Sequence, residues 1–374
     1  MAHTDTKAVR AALGGMIAMA VGIGIGRFVY TPILPPMLAA LGLSKATAGL
    51  IASANFVGYL AGALVAARTP LPGPKRRWLL GALAFSAGST GAMGWDGGLS
   101  WFLALRFLGG VASALVLILA SASVMDRLAA AGRPGLSAVH FAGVGVGIAV
   151  SAILVASASG WEAMWRISGA TSIIGLVAVA LFLPLGSDQS TPVPAAGSAA
   201  PDPRLRRMTI AYGLFGFGYV ITATFLVAIV RGEVPRLEPI IWVMVGLGAV
   251  PSVWLWSTLG RRIGTAPAFA IAAAIEAIGV LASVASAGIL SVSFGAILLG
   301  GTFMGLTALG LTRARELARG DARRAMAAMT GAFGVGQIAG PLVAGVLSDA
   351  LGGFGVPSVL AAAALLVAGW LGRR

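Results

Sequence analysis

Apolar residues dominate this chain in long runs, interrupted at near-regular intervals by polar and basic stretches. Twelve such runs lie near 11–31, 46–67, 78–95, 98–125, 135–158, 164–184, 208–230, 238–258, 267–287, 289–311, 325–348 and 354–371. A hydrocarbon core about 30 Å thick needs about 20 apolar residues per helix, so each run predicts one membrane-crossing helix. Transmembrane strands would be shorter and would alternate strictly between apolar and polar positions. Runs such as ALLVAGWL do not alternate. The pattern predicts an all-α polytopic membrane protein with 12 transmembrane helices.

Composition agrees. Of 374 residues, 58% are hydrophobic and 10% charged, against about 25% charged in soluble domains. The first run follows Lys7 and Arg10, as a secretory signal would, but no cleavage site follows it and its length suits a full span. It reads as a retained first helix. Cysteine is absent, which removes disulfides and thiolate metal sites.

The net charge of +14 takes its meaning from placement. Of the 26 Lys and Arg, 20 fall in one alternating set of connections and the chain ends, 4 in the other set, and 2 inside the runs. Basic residues are retained on the cytoplasmic side, so both termini are expected there, in a bacterial-type inner membrane. The basic charge faces anionic lipid, and no aromatic-basic stripe suggests nucleic acid.

The longest connection, GSDQSTPVPAAGSAAPDPRLRR over 186–207, reads as a flexible cytoplasmic linker. It divides the chain into two six-helix bundles, 1–185 and 208–374. The halves echo each other. GIGRFVY (24–30) pairs with GFGYVIT (216–222), setting Arg27 opposite Tyr219. LGG at 108–110 pairs with LGG at 299–301, setting Arg106 opposite Ile297. FAGVGVGIAVS (141–151) pairs with FGVGQIAGPLVAG (333–345). Tandem halves with a solute site at midplane between them are one transporter plan.

These features resemble the major facilitator superfamily. Arg106-x-x-x-Gly110-x-x-x-Ala114 is similar to its fourth-helix motif. GIGRFVYTPILPPM (24–37), ANFVGYLAGAL (54–64), HFAGVGVGIA (140–149) and YGLFGFGYVITATF (212–225) resemble its YbfB/YjiJ-type branch. The resemblance spans nearly the whole chain and implies two pseudo-symmetric six-helix bundles, a small-molecule substrate and a monomer. Two loops depart from the superfamily pattern. ARTPLPGPKRR lacks the usual Asp, and STLGRRIGT carries Arg261 in the corresponding place.

Two arginines lie inside runs: Arg27 in the first and Arg106 in the fourth. Arg at a helix centre costs about 2.5–3.5 kcal/mol on insertion scales, so such a side chain marks a partner or a hydrated site. At 1.5 Å per residue, Arg106 lies roughly 12 Å below the outer end of its run and Arg27 roughly 6–10 Å. The resemblance places Arg27, Asn55, Arg106, Tyr219 and Gln337 at cavity positions. Tyr59 shares a face with Asn55, and Thr222 accompanies Tyr219. These seven residues are the candidate substrate ligands. Glu276, the single acid in the middle of a run, His140 and Asp126 are the proton-coupling candidates; His140 also reads as a packing or gate residue, and Asp126 beside Arg127 as a gate pair.

No P-loop is present, so ATP is not the drive. No metal, cofactor or acid/base constellation appears, which argues against an enzyme. The reading is a secondary transporter of a small organic solute, anionic or strongly polar, working by alternating access with proton coupling or counter-solute exchange. A broad-specificity drug/proton antiporter is the alternative. A channel or non-transporting sensor ranks below both.

Overall fold

The computed structural model describes residues 2–68, 72–183, 202–285, 288–318 and 322–373. Among these residues, twelve helical passes follow one another. The first, α1, begins as α-helix Ala2–Met19, passes through π-helix Ala20–Ile25 and resumes as α-helix Tyr30–Leu41. The rest are α2 (Lys45–Arg68), α3 (Lys75–Ala92), α4 (Gly98–Ala130), α5 (Ser137–Ala156), α6 (Trp161–Phe182), α7 (Pro203–Glu233), α8 (Glu238–Ile263), α9 (Thr265–Ala285), α10 (Ile289–Leu317), α11 (Ala322–Leu351) and α12 (Gly355–Gly372). No strand occurs among the described residues. A helix satisfies its own backbone where no water can, which is why twelve apolar runs give twelve helices.

Among the described residues, eleven passes are long and apolar enough to cross a membrane. The twelfth, α3, has 18 residues and opens on Lys75, Arg76 and Arg77. Exposed Trp78 and Trp370 near one end, and Trp95 and Trp101 near the other, suit the two bilayer interfaces.

Two boundaries differ from expectation. The first pass continues to Leu41, giving a span of Thr6–Leu41. Arg27 therefore lies about 20 Å from its far end, at 1.5 Å per residue, and sits near midplane. The continuation carries three prolines, Pro32, Pro35 and Pro36. Pro32 falls in the first turn of the resumed helix, where no intrahelical donor is needed. The linker expected over 186–207 lies mostly outside the described residues. Its last part is already helix: Asp202 caps α7 by accepting from the Arg204 N–H at 2.8 Å.

The first six helices meet the last six along α2–α11, α5–α8 and the resumed part of α1 against α7. Within each half, glycines let backbones touch. A Cβ on Gly110 would lie 2.0 Å from the Asn55 carbonyl oxygen, and one on Gly58 1.8 Å from that of Phe107. In the second half, a Cβ on Gly300 would lie 2.1 Å from the Val245 carbonyl oxygen, and one on Gly248 3.0 Å from that of Ile297. Each member of the second set stands 190 positions after its counterpart. The α1–α5 and α7–α11 crossings repeat in the same way. Gly143 and Gly147 press on Met16 and Ala20; Gly336 and Gly340 press on Gly213 and Phe217.

This packing frame bears out the repeat and corrects its register. The counterpart of Arg106 is the buried Ala296, not Ile297, which is 49% exposed. The Met16–Gly213 and Ala20–Phe217 pairing carries Arg27 to the neighbourhood of Thr224, not Tyr219. Glycines recur every few residues on these faces, so glycine matches alone do not fix a register.

Hydrogen bonds tie the halves from mid-depth to the end opposite the chain termini. Ser53 Oγ donates to the Ile338 carbonyl at 2.8 Å and Thr31 Oγ1 to the Ala223 carbonyl at 2.7 Å. Furthest out, the Asp349 carboxylate accepts from the backbone N–H of Lys45 at 3.1 Å and of Ala46 at 2.8 Å. A carboxylate of α11 thus caps the N-terminus of α2, where the helix dipole favours it.

Candidate functional site

The site grows from the break in α1. Through the π-helical stretch, the Gly26 N–H reaches the Val21 carbonyl at 2.9 Å and the Phe28 N–H the Ile23 carbonyl at 3.3 Å. Beyond it, the Thr31 N–H turns to the Phe28 carbonyl at 3.2 Å. The Arg27 carbonyl thereby loses the donor an unbroken helix would supply. Arg106 of α4 takes over: Nη1 donates to the Gly26 carbonyl at 3.4 Å and Nη2 to the Arg27 carbonyl at 3.3 Å. Its Cζ also lies 4.9 Å from the Tyr30 ring centroid. Asn55 Nδ2 donates to the Arg106 carbonyl at 2.9 Å, bracing α4 from α2. Arg106 is 4% exposed, and its Nε is buried without a partner.

Arg27, in the break itself, is 6% exposed. Its Cζ lies 4.5 Å from the Tyr59 ring centroid, 4.6 Å from Phe56 and 5.6 Å from Phe28. Three rings surround the guanidinium, each attracting the cation by its quadrupole. Two of its nitrogens, Nε and Nη2, have no hydrogen-bond partner.

Across the interface stands a wall of rings from the second half. Tyr219 of α7 lies within 6° of parallel to Phe303 of α10 and Phe333 of α11, at 5.8 and 5.7 Å. Phe215 and Tyr212 extend the cluster along α7. Phe28 joins the two sides, 6.0 Å from Phe303 and 6.4 Å from Trp242. Gln337 Nε2 donates to Tyr219 Oη, while Gln337 Oε1, Thr222 Oγ1 and Trp242 Nε1 are buried without partners. Arg27, Tyr59, Tyr219 and Gln337 are thus brought to one interface, with Thr222 on the same α7 helix one turn from Tyr219. Asn55 and Arg106 form its support.

The proton-coupling candidates lie on α9, α5 and α4. Glu276 is fully buried in α9, its carboxyl beside the Thr302 side chain of α10. His140 is buried in the first half and shares a 3.0 Å hydrogen bond with Ser121. Asp126 is exposed near the C-terminal end of α4, and no ion pair with Arg127 forms among the described residues. A separate cavity of about 220 Å³ opens at the end opposite the termini, lined in part by Pro32, Pro36, Arg231 and Glu238.

Sequence reasoning missed Phe28, Phe56, Phe303 and Phe333, because rings in apolar runs look like ordinary core. One signal was present: Tyr212, Phe215 and Tyr219 stand at helical spacing, which puts three rings on one face.

No curated protein matches the chain. Among solved structures, a variant of the nucleoside transporter NupG has a TM-score of 0.75 at 12% identity, covering 97% of this chain and 98% of that one. A bacterial homologue of the human lysosomal transporter Spinster, in an inward-facing and occupied conformation, has a TM-score of 0.72 at 13% identity, covering 97% and 95%. Its inward-facing, unoccupied form has a TM-score of 0.73 at 13% identity, covering 99% and 96%. Identities this low show a shared fold alone. Residues 19–373 match the family described as uncharacterised MFS-type transporter YbfB. The chain belongs to that family: it is a multi-pass membrane protein of the major facilitator superfamily and a secondary transporter.

Proposed function

We propose that this protein carries a small organic anion across the membrane by alternating access, with Arg27 as the partner of the anion's charge. The observation that carries this reading is the pair of unpartnered guanidinium nitrogens at the interface between the halves. A buried polar group without a partner is costly, and an anionic solute would supply the missing acceptors. Tyr59, Tyr219, Thr222 and Gln337 complete the contact set, while Asn55 and Arg106 hold the broken helix in place. The halves 1–185 and 208–374, joined by the linker 186–207, rock against each other along the glycine-lined contacts. The protein works as a monomer in a bacterial-type inner membrane, with both termini cytoplasmic.

Transport is driven by a proton or by an exchanged solute, and Glu276 is the proton-carrier candidate. The aromatic lining also suits the alternative, a broad-specificity drug/proton antiporter. Counterflow in proteoliposomes separates them: an internal load of organic anion accelerates entry of the labelled anion, and Arg27→Gln abolishes the effect. Acceleration by lipophilic cations and not by anions would favour the antiporter.

A further inference from the structure

We infer that the substrate is an aromatic carboxylate, its acid group on the open edge of Arg27 and its ring against the Tyr219–Phe303–Phe333 wall. This rests on the reading of Arg27 as the charge partner and adds the chemical class of the cargo.

The acid group follows from which nitrogens are open. Nε and Nη2 form one edge of the guanidinium, with two parallel N–H groups spaced to meet two carboxylate oxygens. The same chain shows this edge in use. Arg231 receives the Glu238 carboxylate through Nε at 2.8 and 2.9 Å and through Nη2 at 2.5 Å. In Arg27 the matching pair of atoms is buried and unmatched. An ammonium or a neutral sugar offers no such pair of anionic acceptors.

The ring follows from what surrounds that edge. Phe28, Phe56 and Tyr59 enclose the guanidinium from the first half. Tyr219, Phe303 and Phe333 present near-parallel planes from the second. All three rings belong to the second half, and Phe28 of the first half covers Phe303 at 6.0 Å, so a flat ligand reaches this wall only when the halves part. It then replaces ring–ring contacts with contacts of the same kind. Gln337 Oε1 and Thr222 Oγ1, both unpartnered, would take a ring hydroxyl or amine. A flat ring held at its face and an acid held at its edge define a benzoate-like solute of one negative charge.

Equilibrium binding to purified full-length protein tests this with benzoate, cyclohexanecarboxylate, acetate and benzylamine. Benzoate is expected to bind at least about tenfold more tightly than acetate and measurably more tightly than cyclohexanecarboxylate, with benzylamine not binding; tenfold corresponds to about 1.4 kcal/mol. Arg27→Lys keeps the charge but loses the two-point edge, and benzoate affinity is expected to fall about tenfold or more. Tyr219→Leu is expected to erase the difference between benzoate and its saturated analogue while leaving acid over amine. Equal binding of ring and saturated acid by the wild-type protein would overturn the ring, and an unchanged benzoate affinity in Arg27→Lys would overturn the edge. Counterflow of a non-aromatic anion that Arg27→Gln abolishes would keep the transporter reading and remove only this one. Counterflow that ignores Arg27 would remove both.

Discussion

The break in α1 and the corresponding stretch of α7 occupy equivalent places in one packing frame, yet they hold different things. In α7 the helix runs unbroken from Pro203 to Glu233 and presents rings to the interface. In α1 the helix breaks after Ile25, and the residue that braces the break, Arg106, has the small, apolar Ala296 as its counterpart. One half offers a fixed charge set among rings; the other offers rings alone. A repeat shares its scaffold between halves because the glycine contacts are backbone contacts, indifferent to side chains. Its chemistry can then diverge on the interface side without disturbing the frame.

The sharpest way to break this contrast is to remove the brace. Arg106→Ala leaves the Gly26 and Arg27 carbonyls without charged donors, each worth about 1.5–3 kcal/mol. Counterflow is expected to fall about a hundredfold, with a lowered melting temperature, and Arg106→Lys is expected to recover part of both. Full activity in Arg106→Ala would show that α1 holds its break unaided.

The shared frame is tested by two matched substitutions. Gly110→Val and Gly300→Val each push a side chain into a partner backbone, where overpacking costs about 1–3 kcal/mol. Both are expected to lower thermal stability by similar amounts, while Gly81→Val, which meets no atom within 4 Å at its Cβ, changes it little. Unequal losses at the matched pair would mean that the two halves do not share the crossing.

Asp349→Asn weakens the cap that α11 places on α2, an effect of about 1 kcal/mol. The chain has no cysteine, so a single cysteine introduced at Ala223 reports opening of the end opposite the termini. Its labelling by a membrane-impermeant maleimide is expected to rise several-fold in the Asn variant. An unchanged rate would place the hold on that end with other contacts.

The smallest structural change is Glu276→Gln, which keeps shape and removes a titratable group. Counterflow is expected at the wild-type rate, while accumulation driven by an imposed pH gradient falls to the level seen without one. Retained pH-driven accumulation would exclude Glu276 as the proton carrier.

The pattern of apolar runs disclosed the twelve helices because membrane burial writes length and composition directly into the chain. Arg27 was legible as costly at any depth. Its depth was not, because the apolar run read as ending at 31, whereas the helix resumes at Tyr30 and continues to Leu41. Arg106 was legible as buried; its partners were not, since the carbonyls it braces exist only once α1 breaks. The role of Asn55 was hidden likewise, for a backbone acceptor leaves no mark in sequence. Phe303 and Phe333 lie 84 and 114 positions from Tyr219, and only the fold brings their planes together.

The most direct measurement is the structure of the protein bound to 4-iodobenzoate, with the iodine located by its anomalous scattering. The expected result is a carboxylate facing Nε and Nη2 of Arg27 and an iodine beside Tyr219, Phe303 and Phe333. Iodine found in the cavity beside Arg231 and Glu238, with the Arg27 edge still open, would contradict the account.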